Sequence, residues 1–146
     1  MADPNISITR TFDAPRETVW KEWTMPEAFA DWYGGTEAEV PVDSVEMDVR
    51  EGGAWKAKMF AMDGKMEIDW HGAYQEVNEP ERLAFTVSDR PGDVFDLITV
   101  TLTDLGDGRT EMVMEQSGDH MDEAGYARAK EGWGGFFDRM EERLAG

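Results

Sequence analysis

Cysteine is absent, histidine occurs twice and lysine five times, and no apolar run is long enough to span a bilayer. The missing thiols exclude disulfides, a thiolate nucleophile and thiolate metal ligation. His71 and His120 form neither H-x-x-x-H nor H-E-x-x-H, and no EF-hand-like loop is present, so no metal is expected. A P-loop, a G-x-G-x-x-G turn and a G-x-S-x-G elbow are also missing, and no cofactor is expected. No basic segment followed by an apolar one opens the sequence, so no signal peptide is expected and the cytoplasm is the expected location.

Acid is what the chain has in excess. Asp and Glu total 32 against 14 Lys and Arg, for a net charge of −18. A field of that sign repels nucleic acid and anionic membrane, which excludes both as partners and argues against membrane insertion. The acids are dispersed along the chain, as on a solvated folded surface. Ordinary solubility and adaptation to high salt both explain this, and the scarcity of lysine favours the second. A melting series in KCl tests the point: stability that stays flat or falls with salt contradicts salt adaptation. Six Trp, seven Phe and ten Met give an aromatic, soft interior. At 146 residues the expectation is one domain, 1–146, burying roughly 68–70% of its unfolded surface. No repeat or low-complexity linker divides it.

Residues 6–12 alternate as a half-buried strand with Ile6, Ile8 and Phe12 on one face. Asp13 is the expected N-cap of a short helix through Trp23, and Thr24 that of a second, starting at Pro26 and ending at Gly34-Gly35. Period-two segments follow. Val40 to Val49 forms an acidic strand with an irregularity near Asp43-Ser44, and Trp55 to Ala61 a second strand. Asp63-Gly64 is a two-residue hairpin signal leading into Met66 to Gln75. Next come a strand at Leu83 to Val87, a loop at Arg90 to Asp93, and strands at Val94 to Thr103 and Thr110 to Gln116. A closing helix spans Met121 to Leu144, with His120 in its cap region. Consecutive hairpins imply an antiparallel sheet, and only the closing helix is long enough to cover its apolar face.

That helix holds Gly125, Gly132, Gly134 and Gly135 among Tyr126, Ala129, Trp133, Phe136, Phe137 and Met140. Each interior Gly costs ~1 kcal/mol relative to Ala, so the pattern calls for close backbone approach, a kink or open space beside the helix. A helix lining a pocket meets that need.

Phe12-Asp13-Ala14-Pro15, Val19-Trp20, Thr24-Met25-Pro26-Glu27 and Trp32-Tyr33 resemble the opening of START-like, helix-grip domains of the SRPBCC superfamily. Gly52-Gly53-Ala54-Trp55, His71 to Val77, Pro80 to Thr86, Val100 to Thr103 and Gly132 to Met140 extend the likeness in order along nearly the whole chain. The branch it resembles most is the one named after the activator of the heat-shock-protein ATPase. The resemblance implies an α+β helix-grip fold: a curved antiparallel sheet of about seven strands, two short helices after the first strand, and a long C-terminal helix over the sheet. It also implies a hydrophobic cavity between sheet and helix, with carriers, cyclase-type enzymes, sequestering proteins and co-chaperone domains among its members.

The apolar strand faces contribute Trp55, Met59, Ile68, Trp70, Phe85, Ile98, Met112 and Met114 as candidate ligand contacts. The helix contributes Tyr126, Trp133, Phe136 and Met140. Tyr74 and His71 are candidate polar groups, although His71 shares a face with Glu67, Asp69 and Gln75, which favours an outward position. Three functions follow as expectations. The first is a carrier or sequestering protein for a small lipophilic or aromatic molecule, which is not expected to be an enzyme. The second is a cyclase or hydrolase using His71 or a buried carboxylate. The third is a protein-binding module presenting Trp32-Tyr33, for which the acidic surface would require a basic partner.

Overall fold

The computed structural model describes residues 4–35, 38–89, 95–118 and 121–145. Strand β1 (Ile6–Phe12) is followed by helices α1 (Arg16–Thr24) and α2 (Pro26–Trp32). Two-residue strands β2 (Ala38–Glu39) and β3 (Glu46–Met47) flank a 3-10 turn at Val42–Ser44. The long strands are β4 (Ala54–Ala61), β5 (Met66–Asn78), β6 (Arg82–Val87), β7 (Asp96–Gly106) and β8 (Arg109–Ser117), and α3 (Glu123–Ala145) closes the chain. All pairings are antiparallel, in the order β1-β8-β7-β6-β5-β4-β2, with β3 also on β4. This is the helix-grip arrangement: a curved sheet holding one long helix.

Several local expectations change. Pro15 occupies the N-cap of α1 without a side-chain bond, so Asp13 does not cap it. Met25 caps α2, while the Thr24 hydroxyl donates back to the Trp20 carbonyl at 3.0 Å. The acidic strand between Val40 and Val49 does not run through: the turn at Val42–Ser44 interrupts it, and only β3 is strand within those bounds, with β2 lying before them. Asp63-Gly64 sits in a four-residue loop closed by the Ala61–Met66 pair, with Met62, Asp63 and Gly64 all at positive φ. The loop at Arg90 to Asp93, the strand start at Val94 and the cap residue His120 lie outside the described residues.

Helices α1 and α2 roll the chain under α3 and fill the space with rings. Trp23 meets Trp32 edge to face at 4.8 Å, and Phe137 lies 5.9 and 6.0 Å from the two. Each such pair is worth ~0.5–1.5 kcal/mol beyond area burial. The indole N–H groups are used: Trp23 donates to Met112 Sδ at 3.4 Å and Trp32 to the Glu22 carbonyl at 2.7 Å. At Gly72 a side chain is excluded, since its Cβ would lie 1.7 Å from the Thr86 carbonyl oxygen. That close approach lets Trp55 reach across and donate to the same oxygen at 2.9 Å.

Candidate functional site

Between the sheet and α3 the packing stops short, leaving a cavity of about 240 Å³. Trp70, Val87 and Ser88 form its sheet wall, and Ala129, Gly132, Trp133 and Phe136 its helix wall. Tyr33 lies between the walls, and Met121, Asp89, Asp96 and Gln116 complete the lining. Of the α3 glycines, Gly132 is in the cavity lining while Gly134 and Gly135 are not, and a Cβ at any of the three would meet nothing within 4 Å. Gly125 differs, since its Cβ would stand 3.0 Å from that of Met121. Its amide instead donates to Asp122 at 2.8 Å, capping the helix start.

Apolar surface dominates the lining, but a buried polar chain closes one end. Trp133 Nε1 donates to Gln116 Oε1 at 2.8 Å, and Gln116 Nε2 donates to Asp96 Oδ2 at 2.6 Å. An indole N–H can only donate, so the Gln116 amide is fixed with its NH₂ towards Asp96, which must accept. The Tyr126 hydroxyl donates to the other carboxylate oxygen at 3.3 Å. Asp96 is 1% exposed and rests against Gly118, whose Cβ would fall 1.7 Å from Oδ1. Two further groups stand out. The Tyr33 hydroxyl has no hydrogen-bond partner among the described residues, and burial, with Asp89 adding to it, pushes its ionisation above the ordinary tyrosine value. Trp70 Nε1 is buried and has no acceptor among the described residues.

Past the cavity, α3 is clamped. Arg143 meets the buried Glu22 carboxylate at 2.7 and 3.2 Å and also bonds Asp31. Arg139 reaches both Asp31 oxygens at 3.2 Å. Glu22 first, and Asp31 after it, hold the Arg143 guanidinium above its ordinary value. Burial alone would raise the Asp31 carboxyl, but hydrogen bonds from Arg143 and Arg139 outweigh it and leave the group lowered. On the other side Arg10 bonds Asp138 at 2.7 Å and the Gly134 carbonyl at 3.2 Å.

Of the residues singled out from sequence, Trp70, Trp133 and Phe136 line the cavity. Trp55, Met59, Phe85, Ile98, Met112, Met114 and Met140 are in the packed core, and half-buried Ile68 packs against it. Tyr126 stands behind the lining and holds Asp96. Buried Tyr74 faces Phe85 at 6.1 Å. His71 pairs with Lys56 in the sheet register, beside the Phe95 ring at 5.5 Å, and lines an outer groove instead of the cavity. Trp32 and Tyr33 are 0% and 3% exposed, so they present no surface patch. The sequence reading missed Tyr33, Ser88, Asp96 and Gln116 as cavity residues. Asp96 left one signal: an acid on a strand whose neighbours Ile98 and Val100 on the same face are buried.

No helix among the described residues is long and apolar enough to cross a membrane. The fold recurs in solved structures. A Chromobacterium violaceum protein matches at TM-score 0.84 and 25% identity, covering 97% of each chain. A Silicibacter pomeroyi protein named AHSA1 matches at 0.82 and 20%, covering 96% of each. An Arthrobacter aurescens protein matches at 0.82 and 22%, covering 95% of this chain and 84% of that one. No curated protein matches the sequence. The family model described as "activator of Hsp90 ATPase homolog 1-like protein" matches residues 13–145, and the chain belongs to that family.

Proposed function

We propose that the chain acts as one domain that binds a small hydrophobic or aromatic molecule between the sheet and α3, as a carrier or sequestering protein, with the cytoplasm as its place of action. One observation carries the reading: a cavity of about 240 Å³ with mostly apolar walls and a few polar groups at one end. Size narrows the ligand. An apolar cavity of ~150 Å³ takes benzene, and drug-sized sites begin near ~300 Å³. A compact one- or two-ring molecule suits this volume better than a long acyl chain. Binding would come mainly from apolar burial at ~25 cal/mol per Å², with the polar end setting orientation.

Trp70 and Trp133 on the walls make tryptophan emission the natural reporter. Titration with phenethyl alcohol should give a saturable change in emission, and native mass spectrometry of freshly purified protein should find a small co-purified mass. An unsaturable response together with a bare mass would contradict the proposal. Asp96 supports a second reading, acid–base chemistry on the bound molecule, because a buried carboxylate borders the cavity. Turnover of the co-purified compound would favour that reading, and its return unchanged would favour the carrier.

A further inference from the structure

The polar chain at one end of the cavity is closed on itself. Gln116 accepts from Trp133 and donates to Asp96, and Tyr126 donates to the other Asp96 oxygen. Those groups satisfy one another without a ligand. Two donors among the lining residues lack an acceptor. The Tyr33 hydroxyl has no hydrogen-bond partner among the described residues, although Tyr33 is only 3% exposed. Trp70 Nε1 is buried and has no acceptor among them either. The two rings are neighbours, with centroids 5.9 Å apart. Buried polar groups are almost always paired, so each unpaired one asks for a partner. Chemistry sets what that partner is. An indole N–H only donates, and a phenol donates more readily than it accepts, because the ring draws on its oxygen lone pair. Burial raises the Tyr33 ionisation, which keeps the hydroxyl proton in place at neutral pH. The Tyr33 ring is also fixed. Phe29 stacks on it at 4.5 Å, while Trp133 and Phe136 of the cavity wall lie 5.9 and 5.2 Å away. A donor held in this way loses little freedom when it bonds a ligand. A carbonyl oxygen has two lone pairs and no proton, so it complements such a lining, whereas an apolar isostere leaves both donors unpaired.

Resting on the ligand-binding reading above, we propose that the cavity takes one- or two-ring aromatic ketones and aldehydes, with the Tyr33 hydroxyl donating to the carbonyl oxygen and the ring held among Trp70, Trp133 and Phe136. Tyr33 thereby fixes the direction in which the ligand lies, and apolar burial supplies most of the affinity.

Acetophenone and α-methylstyrene have nearly the same shape and differ in carrying C=O or C=CH₂. Each is titrated into ¹⁵N-labelled wild type and Tyr33→Phe, with the indole N–H signals reporting binding. Tyr33→Phe should weaken acetophenone about threefold to tenfold and leave α-methylstyrene within about twofold. Without ligand the variant should be at least as stable as wild type in denaturant titration, since the hydroxyl it loses leaves no partner behind. Equal weakening of both probes, no weakening of acetophenone, acetophenone that does not bind, or a destabilised variant overturns the inference. The cavity reading then still stands, because α-methylstyrene binds wild type. If neither probe binds wild type, the cavity reading fails and takes the inference with it. A measurement on wild type alone covers a variant that does not fold. The stretching band of ¹³C=O-labelled acetophenone in the complex should lie below its position in dimethyl sulfoxide, a polar solvent with no donor. A band at or above that position overturns the inference.

Discussion

Phe136 and Phe137 are neighbours on one helix, yet they belong to different regions of the molecule. Phe137 is fully buried among Trp23, Trp32 and Trp133, on the side that leads to Arg139, Arg143 and their acidic partners. Phe136 is half-buried and turns its ring to Tyr33 and the cavity. The same contrast divides α3 as a whole. Its C-terminal half is packed on rings and clamped to α1 and α2 by Glu22 and Asp31, whereas its N-terminal half borders empty space through Ala129 and Gly132. One helix thus serves as an anchor at one end and a cavity wall at the other. Removing side chains should therefore cost stability at the first end and binding at the second.

Phe137→Ala should give the largest effect, a loss of about 3–5 kcal/mol of folding stability in denaturant titration. Phe136→Ala should cost about half of that or less and weaken phenethyl alcohol binding about tenfold. If the two variants behave alike, the division of the helix is wrong. Arg143→Met comes next, at about 2–3 kcal/mol, because it leaves Glu22 buried without its guanidinium. Ligand affinity should hardly move.

Two smaller effects sharpen the contrast. Gly134→Ala should stabilise the protein by about 0.5–1 kcal/mol, since helix propensity improves and nothing obstructs the new methyl. Gly132→Leu should also leave the fold intact but should narrow the cavity and weaken binding. Binding unchanged by that substitution would mean that the glycine has another cause. Asp31 gives the smallest signal. Its carboxyl is lowered in the folded state, so its contribution is complete above the unfolded value near 3.8 and is lost as pH falls through the lower folded value. The stability difference between wild type and Asp31→Asn should be constant at neutral pH and shrink below about pH 4. A difference that grows on acidification would contradict the clamp.

The strands were legible where one face is buried and the other wet. Ile6–Phe12 alternates cleanly and has the predicted bounds. Between Val40 and Val49 the alternation persists, but the 3-10 turn at Val42–Ser44 breaks the ladder, and period two alone does not report pairing. Helix caps were missed because Pro15 and Met25 take extended dihedrals without using the Asp13 or Thr24 side chain. For the cavity, Gly132 carried a local signal, since a missing side chain remains missing in any fold, whereas Gly125, Gly134 and Gly135 lie outside its lining. The strand aromatics carried none. Trp55 and Trp70 both come from strands that wall the same interior, but only Trp70 borders the void, because Phe29, Tyr33 and Phe85 fill the space around Trp55. Which ring meets another ring and which meets a gap depends on contacts between distant segments. Tyr33, brought beneath α3 from the end of α2, is the clearest case.

The indole N–H signals of the six tryptophans offer the most direct measurement. With ¹⁵N-labelled protein and saturating phenethyl alcohol, the Trp70 and Trp133 resonances should shift, while those of Trp20, Trp23 and Trp32 should stay in place. Shifts centred on Trp23 and Trp32, or none at Trp70 and Trp133, would contradict a ligand cavity walled by Ala129, Gly132, Trp133 and Phe136 of α3.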